Sequence, residues 1–230
     1  MGATVKTAFV IHLYYIEMLD ELCRYLDELR RHMDFDVFVT VPNTFDYHDE
    51  MGLITTMTKA VLVEPVENRG RDVLPFLNML PKLSGYDYVC KLHTKNNHEW
   101  RGPSSHLHDF GWREYMWMSL TDPVLAEKAK EALDDGTGLY APEGLWFKHW
   151  EGVNFKDNLA NMRVLGDLTG ADLFPSPFVA GTMFWFRPDA LMWLTEFDLA
   201  NLFESEEGAE DGKMEHAFER CFHQLIKDVT

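Results

Sequence analysis

Three short polar segments of the sequence carry residue types that could bind phosphate or move a proton. They are NRGRD at 68–72, KLHTK at 91–95 and DGKMEHAFER at 211–220. Arg side chains form paired hydrogen bonds with phosphate oxygens, and Lys side chains act toward them as point charges. Carboxylates and imidazoles can take a proton from an attacking hydroxyl. The segments therefore indicate anion binding beside general base catalysis.

The NRGRD segment predicts a tight turn. Gly70 permits backbone conformations that other residues avoid, and Asp72 is expected to cap the helix that follows. Arg69 and Arg71 would then flank the amide-rich end of that helix, where anions bind. An ordinary capped turn with solvated arginines explains the same residues, so the segment alone leaves both interpretations open. Neither glycine-rich fingerprint, GxGxxG or GxxxxGKS/T, occurs in the chain.

In the KLHTK segment, Lys91, His93 and Lys95 alternate, so in a strand they share one face. Cationic or titratable groups beside a buried strand need an anion or water. The alternative is an edge strand with solvated lysines. His93 could also bind a metal, although a single His without a paired carboxylate is more often a hydrogen-bonding residue. The histidines of the following polar loop are a weak metal signal.

The DGKMEHAFER segment places several acidic residues close together at the start of a predicted helix. Glu215 and Glu219 lie four residues apart and share a face, as do His216 and Arg220. A general base needs a carboxylate or an imidazole, and Asp211 is the first candidate, with His216 and Glu219 as competitors. A solvated acidic loop that leads into a surface helix is the alternative.

Hydrophobic periodicity in the first 100 residues predicts alternating strands and helices, with a loop-like stretch at 43–57. Strands are expected from Val5, over 34–42, from Ala60 and from Tyr86, and helices from Met18 and Val73. This order predicts right-handed βαβ crossovers and a mainly parallel sheet, and ligands of such sheets bind beyond the carboxyl ends of the strands. The residues that directly follow the strands, beginning with His12, are therefore the candidates.

The second half is less regular. It predicts helices at 123–133, at 155–168 and from Pro188, short strands at 138–142 and 179–186, and a final helix over roughly 212–227. No repeat or linker separates two domains. Its tryptophans could stack on a sugar or a base, but aromatic side chains more often fill a core. We expect one α/β domain over 1–230, with a central sheet flanked by helices.

The composition is 46% hydrophobic and 26% charged, which suits one globular domain with a substantial core. The 38 acids outnumber the 21 lysines and arginines, and the net charge of −17 argues against nucleic acids and anionic membranes as partners. Residues 69–101 form a local exception, with six cations against three acids. One positive strip in an acidic chain is typical of a site for a small phosphorylated ligand.

Three cysteines without close spacing predict neither a disulfide framework nor a zinc site. The start of the sequence lacks a secretory signal, and no apolar run approaches the roughly 18 residues needed to span a bilayer. We expect a cytoplasmic protein without an integral membrane segment, one that could still associate peripherally with the inner face of a membrane.

Four ordered motifs carry a family resemblance: VENRGRDVLPFL, YDYVCKLHTK followed by Trp100 and Arg101, FVAGTMFWFRPDAL, and DGKMEHAFER. Over nearly its whole length the chain resembles the rhamnan synthesis protein F family of bacterial polysaccharide and lipopolysaccharide O-chain assembly. The resemblance implies a GT-A-like, Rossmann-like glycosyltransferase that moves a deoxysugar such as rhamnose from a nucleoside diphosphate donor to a growing glycan acceptor. Residues 1–100 would form the nucleotide-binding half, and residues 101–230 the acceptor-side half.

The sequence departs from one GT-A pattern. Many such enzymes place Asp-x-Asp after the fourth strand to bind Mg²⁺ or Mn²⁺, and here His93, Thr94 and Lys95 occupy that place. A charged Lys cannot ligate a hard cation. We therefore expect Lys91, Lys95 and Arg71 to neutralise the diphosphate, with a metal held by His93 or His216 as the minority alternative.

In this interpretation Asn68 and Asp72 fix the nucleotide or the turn that cradles it, and His12 completes the substrate-binding set. A rival of another class is a glycan-binding or nucleotide-sugar-binding module that has lost turnover. A phosphoesterase is a third interpretation, but it lacks the carboxylate cluster after the first strand that hydrolytic metals need.

Overall fold

The computed structural model of the chain describes residues 5–44, 47–96, 111–147, 155, 157–205 and 211–227. Its strands are β1 (Thr7–His12), β2 (Asp36–Pro42), β3 (Leu62–Val66), β4 (Tyr88–His93), β5 (Leu139–Tyr140), β6 (Trp146–Phe147), β7 (Phe178–Val179) and β8 (Phe184–Phe186). Its α-helices are α1 (Leu19–Leu29), α2 (Tyr47–Thr58), α3 (Val73–Met79), α4 (Trp112–Thr121), α5 (Pro123–Asp134), α6 (Leu159–Thr169), α7 (Pro188–Met192) and α8 (Met214–Cys221).

Six strands form the central sheet in the order β3-β2-β1-β4-β8-β5. The first four are mutually parallel, whereas β8 pairs antiparallel with both β4 and β5. All residues of β1 and β4 are buried, as expected for apolar strands at the middle of a sheet. The predicted α/β class with a mainly parallel central sheet is confirmed, and the carboxyl ends of the parallel strands meet at one edge.

The helices bury apolar stripes that the periodicity predicted. In α1, Leu22, Leu26 and Leu29 recur at helical spacing and are at most 1% exposed. Helix α1 contacts α2 and α4, while α3 contacts both β1 and α8. The N-terminal half and α8 therefore share packing through α3. The three cysteines are free and buried.

Two helices differ from the sequence interpretation. Residues 43–57 looked like a loop because they hold few apolar residues, yet α2 occupies most of this stretch and buries Ile54 at 1% exposure. A few buried side chains are enough when tertiary packing selects the helix. Helix α4 was not predicted, and it buries Trp112 and Trp117. These two tryptophans and Trp185 belong to the hydrophobic core, in agreement with the alternative that aromatic side chains fill a core.

The apolar run at 179–186 is divided between two sheets. Strand β7 pairs with β6 in a separate two-stranded sheet, and β8 joins the central sheet. Between them Gly181 and Thr182 have φ values of +82° and +51°, so the chain turns where a single strand was predicted. Helix α8 also ends earlier than predicted, at Cys221, and a 3-10 turn over Phe222–Gln224 follows.

Over the described residues, no helix combines the length and the apolar character needed to cross a bilayer.

The turn at Gly70 gives a stability prediction. Gly70 has a φ of +66°, and a Cβ there would lie 2.5 Å from Cδ1 of Phe203 and 2.7 Å from Cβ of Leu74. We expect Gly70→Ala to lower the free energy of unfolding by roughly 3 kcal/mol or more, because strain and overlap add. Gly170→Ala is the matched control, since its φ is +73° but nothing lies within 4 Å. It should cost about 1 kcal/mol. Urea denaturation of both variants tests this, and equal losses would contradict it.

Candidate functional site

A cavity with two lobes opens at the carboxyl ends of β1 and β4. The larger lobe has a volume of about 360 Å³, and the smaller lobe about 60 Å³. The larger lobe is lined by His12, Tyr14, Tyr15, Asn68, Arg71, Asp72, His93, Thr94, Lys95 and Asn96. The smaller lobe is lined by Arg71, Asp72, Val73, His93, Lys95, Gly181, Thr182, Glu215, His216 and Glu219. Four residues line both lobes, so the two volumes adjoin at one site.

The loops that follow β1 and β4 are joined by hydrogen bonds. Thr94 Oγ1 accepts from the backbone N–H groups of Tyr14 and Tyr15 at 2.9 Å each. The Thr94 N–H donates to the His12 carbonyl at 3.0 Å. From α4, the buried Arg113 donates to the Lys95 carbonyl at 3.2 Å. The backbone under the larger lobe is therefore held on both sides, and Lys95 projects from a fixed segment.

Two non-glycine residues of the cavity have left-handed backbone conformations that side chains rarely adopt. Arg71 and Thr182 both have a φ of +51°. Such conformations concentrate at functional sites because surrounding contacts must maintain them. The Arg71 guanidinium lies at the junction of the lobes, with Nε 4.0 Å from Glu215 Oε1. The turn predicted at NRGRD is present, and it carries Arg71 into the cavity.

A buried ion pair lies beneath the cavity. Lys91 Nζ donates to Asp72 Oδ2 at 2.5 Å and to the Thr182 carbonyl at 2.8 Å. The Thr182 hydroxyl donates to the same Asp72 oxygen at 2.6 Å. Burial alone would raise the pKa of Asp72, but the neighbouring His93 and Lys91 hold that pKa well below its usual range. Asp72 is therefore a stable carboxylate.

This ion pair corrects two sequence interpretations. The Asp72 side chain does not cap α3, because its oxygen is engaged by Lys91 and Thr182. Lys91 is 1% exposed and lines neither lobe, so its charge is neutralised inside the protein and does not face a ligand directly. The central position of β4 excludes the alternative of an edge strand with solvated lysines.

The two histidines of the larger lobe are neutral at physiological pH. His12 Nδ1 lies 3.0 Å from Thr40 Oγ1, and His93 Nδ1 lies 3.4 Å from Asp72 Oδ2. Burial lowers the pKa of His12 to about 4 and that of His93 to about 3. These side chains can exchange hydrogen bonds with a ligand, but they add no positive charge to the cavity.

The positive strip at 69–101 only partly converges. Arg71 and Lys95 line both lobes. Lys82 instead pairs with Glu64 at 2.6 Å, and Arg69 Nε lies 3.5 Å from Glu67 Oε2. Arg101 and the loop histidines His98, His106 and His108 lie outside the described residues. Two cations of the strip, among those described, therefore face the cavity.

Helix α8 supplies the acidic wall of the smaller lobe. Asp211, the first candidate for the base, lines neither lobe; it accepts a hydrogen bond from Asn158 Nδ2 at 2.6 Å. His216 and Glu219 do line the smaller lobe, together with Glu215. Glu219 accepts from the Gly181 N–H at 2.6 Å and also pairs with Arg220. A plain surface helix is thereby excluded, since α8 is largely buried.

Sequence reasoning missed Thr182 and Gly181. Both interrupt an apolar run with small or polar residues, and that interruption was the available signal. The flanking residues are strongly β-forming, so the pattern nevertheless predicts one continuous strand.

A divalent metal has no donor set at this site among the residues that the structure describes. Over those ranges no group of three or more His, Cys, Asp or Glu side chains is arranged to hold a metal ion. The carboxylate nearest to His93 belongs to Asp72, which already accepts from an ammonium and a hydroxyl group. We therefore derive no step through a metal.

Comparison with known proteins places these features in a family. The family model described as rhamnan synthesis protein F matches residues 2–230. The chain is also 33% identical over 226 residues to two proteins named uncharacterized protein WxcX, from two strains of Xanthomonas campestris pv. campestris. These alignments cover 92% of this chain and 30% of each relative, so the chain spans about a third of the length of these relatives.

The buried pair predicts a large effect of removing one partner. In Lys91→Met the Asp72 carboxylate would remain buried without its counter-ion, so we expect a loss of about 3–5 kcal/mol in unfolding free energy. Lys82→Met is the control, because it breaks a half-exposed pair and should cost at most about 1 kcal/mol. Urea denaturation provides both values. A loss below 1 kcal/mol for Lys91→Met would refute the ion pair's structural role.

The neutral histidines predict how stability depends on pH. Their folded-state pKa values of about 4 and about 3 lie below the ordinary 6.5, so the unfolded chain binds more protons between those values. Stability should therefore fall as pH decreases from about 6.5 toward 4, by about 1–2 kcal/mol per histidine between pH 6.5 and 5. Denaturation midpoints across this range should fall more steeply for the wild type than for a His12→Asn, His93→Asn double variant. Parallel pH profiles would contradict the prediction.

Proposed function

Because the chain belongs to the rhamnan synthesis protein F family, we propose that it is a glycosyltransferase of polysaccharide synthesis. It transfers a sugar from a nucleoside diphosphate donor to a growing cell-surface glycan. The supporting observation is the cavity at the carboxyl ends of the parallel strands, where Arg71 and Lys95 face one volume in a chain of net charge −17. The family name favours rhamnose as the sugar and rhamnan as the type of product.

The larger lobe suits the nucleoside diphosphate. Its volume of about 360 Å³ falls in the range of ligand pockets, and it lies where open α/β sheets bind nucleotides. Arg71 and Lys95 are placed to neutralise the diphosphate, Arg71 with a planar fork and Lys95 with a point charge. Tyr14, 38% exposed, offers an aromatic face at the rim for a base. All lining residues come from the first 96 positions, in agreement with a nucleotide-binding N-terminal half.

The reaction is a displacement at the anomeric carbon. An acceptor hydroxyl oxygen forms the new bond, the bond between that carbon and the diphosphate oxygen breaks, and the diphosphate leaves with the electron pair. Arg71 and Lys95 stabilise its developing charge, and this stabilisation is the main electrostatic contribution of the site. Lys91 acts through Asp72 as a positioning residue, since it holds the turn that carries Arg71.

The proton of the acceptor hydroxyl goes to a carboxylate of α8. Glu215 and Glu219 line the smaller lobe, whereas Asp211 does not, so we move the base from Asp211 to these two. Glu219 is bound to Gly181 and Arg220, and Glu215 lies 4.0 Å from Arg71 Nε. Of the two we assign the base to Glu215, because it lies beside the cation that stabilises the leaving diphosphate. The residues after position 180 thus border the place where the sugar is transferred, which supports an acceptor-side C-terminal half. Nucleotide sugars are cytoplasmic metabolites, so we propose that the transfer takes place on the cytoplasmic side.

Removal of the two cavity cations tests the donor site. We expect Arg71→Ala and Lys95→Ala each to weaken the binding of a nucleoside diphosphate about 10- to 100-fold, because each removes a charge-assisted contact. Lys82→Ala removes a cation of the same sequence strip that points away from the cavity, and its affinity should equal that of the wild type. Titration calorimetry with UDP, GDP and dTDP provides the comparison. An equal effect of all three substitutions would refute the assignment.

A transfer assay on the nucleotide that binds distinguishes an enzyme from a binding module. The enzyme should release free nucleoside diphosphate from its nucleotide sugar, slowly by hydrolysis and faster when a glycan acceptor is added. Glu215→Gln should lower this rate at least 10-fold while the affinity for the nucleoside diphosphate changes little. Binding with neither transfer nor hydrolysis would assign a non-catalytic nucleotide-sugar-binding module instead.

A further inference from the structure

His216 carries an unsatisfied hydrogen-bonding group at the smaller lobe. Its side chain is 6% exposed, and its Nε2 has no hydrogen-bond partner among the described residues. A buried polar group without a partner costs about 1–3 kcal/mol, so native structures keep such groups rare. The other ring nitrogen, Nδ1, accepts a hydrogen bond from the Lys213 N–H at 3.2 Å. The ring is therefore fixed by its Nδ1 at the start of α8, and its far end remains unpaired.

The fixed contact determines which nitrogen carries the proton. A nitrogen that accepts a hydrogen bond has no proton of its own, so in the neutral ring the proton lies on Nε2. Burial and the nearby Arg71 charge lower the pKa of His216, which keeps the ring neutral. Nε2–H is consequently a donor, and the ligand atom that satisfies it must be an acceptor. A donor of this kind does not serve as the general base.

The ligand atom that accepts from Nε2–H could be a hydroxyl oxygen or a phosphate oxygen. The charges that line the two lobes decide between them. The larger lobe contains the cations Arg71 and Lys95, and its carboxylate, Asp72, is neutralised by Lys91. Arg71 and Lys95 also line the smaller lobe, but that lobe adds the carboxylates of Glu215 and Glu219. These carboxylates repel an anionic oxygen but accept hydrogen bonds from a hydroxyl group. A hydroxyl group can accept from His216 and donate to the Glu219 carboxylate at the same time, while Glu215 keeps its proposed role as the base.

The size of the smaller lobe limits what enters it. A volume of about 60 Å³ corresponds to roughly two water molecules in the liquid, at about 30 Å³ each. It admits the hydroxyl-bearing edge of a sugar ring, while the remainder of the ring lies toward the larger lobe. The two lobes adjoin, so a diphosphate in the larger lobe and a sugar edge in the smaller lobe can belong to one ligand. The residues that line both lobes are Arg71, Asp72, His93 and Lys95.

From these observations we propose that the smaller lobe is the subsite for a hydroxyl group of the transferred sugar, and that His216 is the residue that recognises it through Nε2–H. This inference rests on the proposed function, and it adds the direction in which the donor lies: diphosphate in the larger lobe, sugar toward α8. A site that donates to a buried hydroxyl discriminates strongly against a ligand without it, because the donor is then left unpaired.

Two substitutions separate recognition of the sugar from the structural role of the ring. Asn places an oxygen near the position of Nδ1, so His216→Asn keeps the acceptor for Lys213 and removes the distal donor. Gln places an amide NH₂ near the position of Nε2, so His216→Gln keeps the donor and loses the acceptor. If the ring has only a structural role, His216→Gln should be the more destabilising variant and neither variant should change sugar binding selectively. If the ring recognises the sugar, His216→Asn should weaken sugar binding more than His216→Gln does.

The measurement compares each nucleotide sugar with its own free nucleoside diphosphate. The pairs are UDP-glucose and UDP, GDP-mannose and GDP, and dTDP-rhamnose and dTDP, each measured by titration calorimetry. The contribution of the sugar is the dissociation constant of the free nucleoside diphosphate divided by that of its nucleotide sugar. For the pair that binds the wild type, His216→Asn should reduce this ratio at least 10-fold. His216→Gln should stay within threefold of the wild type, although it melts at a lower temperature. The affinity for the free diphosphate should stay within twofold in both variants.

The outcomes are distinguishable. An unchanged ratio in His216→Asn, or equal losses in both variants, overturns the sugar subsite while the diphosphate site stands. A wild type that binds none of the six compounds refutes the proposed function and this inference with it. Should either variant fail to fold, the side-chain ¹⁵N resonance of Nε2 in the wild-type protein decides the question. It should shift with the nucleotide sugar and stay in place with the free diphosphate, and no difference between the two overturns the proposal.

Discussion

The ion pair between Lys91 and Asp72 is the interaction on which the geometry of the cavity depends. It joins three separate segments: the central strand β4, the turn after β3, and the turn before β8, through Thr182. An ammonium group that is 1% exposed is tolerated only when nearby acceptors compensate for the lost water. Here a carboxylate, a carbonyl and a hydroxyl oxygen surround it. The need to satisfy this one buried charge fixes the positions of the two turns that line the site.

The same constraint sets the electrostatics of the site. Asp72 is neutralised from below, so it does not cancel the charges of Arg71 and Lys95 in the cavity. His12 and His93 stay neutral through burial, which restricts them to hydrogen bonding. Positive charge is therefore carried by two side chains, Arg71 and Lys95, which line both lobes. The carboxylates of α8 add negative charge at the smaller lobe. A ligand that is anionic at one end and rich in hydroxyl groups at the other matches this division.

Much of the N-terminal half could be predicted from local pattern, because apolar residues in buried strands and amphipathic helices repeat at fixed spacing. The pattern failed at α2, where Ile54 is the one fully buried apolar side chain among those described, so there is almost no hydrophobic periodicity to detect. It failed again at 179–186, where an apolar run hides a turn. In that case Gly181 tolerates the positive φ, but Thr182 adopts it only because Lys91 and Asp72 bind its carbonyl and hydroxyl groups.

Local sequence pattern was sufficient to predict the α/β class, the succession of the first four strands along the chain, and the segments from which the site is built. It also carried the family membership. Which charged side chains contact each other, however, depends on the folded structure. Lys91, His93 and Lys95 alternate along one segment, yet Lys91 is neutralised below the site, His93 is neutral through burial, and Lys95 lines the cavity. The reason is that spacing along a strand fixes only the face on which a side chain lies. The partner that neutralises a buried charge can come from a segment distant in sequence that folding brings nearby. The carbonyl that binds Lys91, for example, lies 91 residues away along the chain.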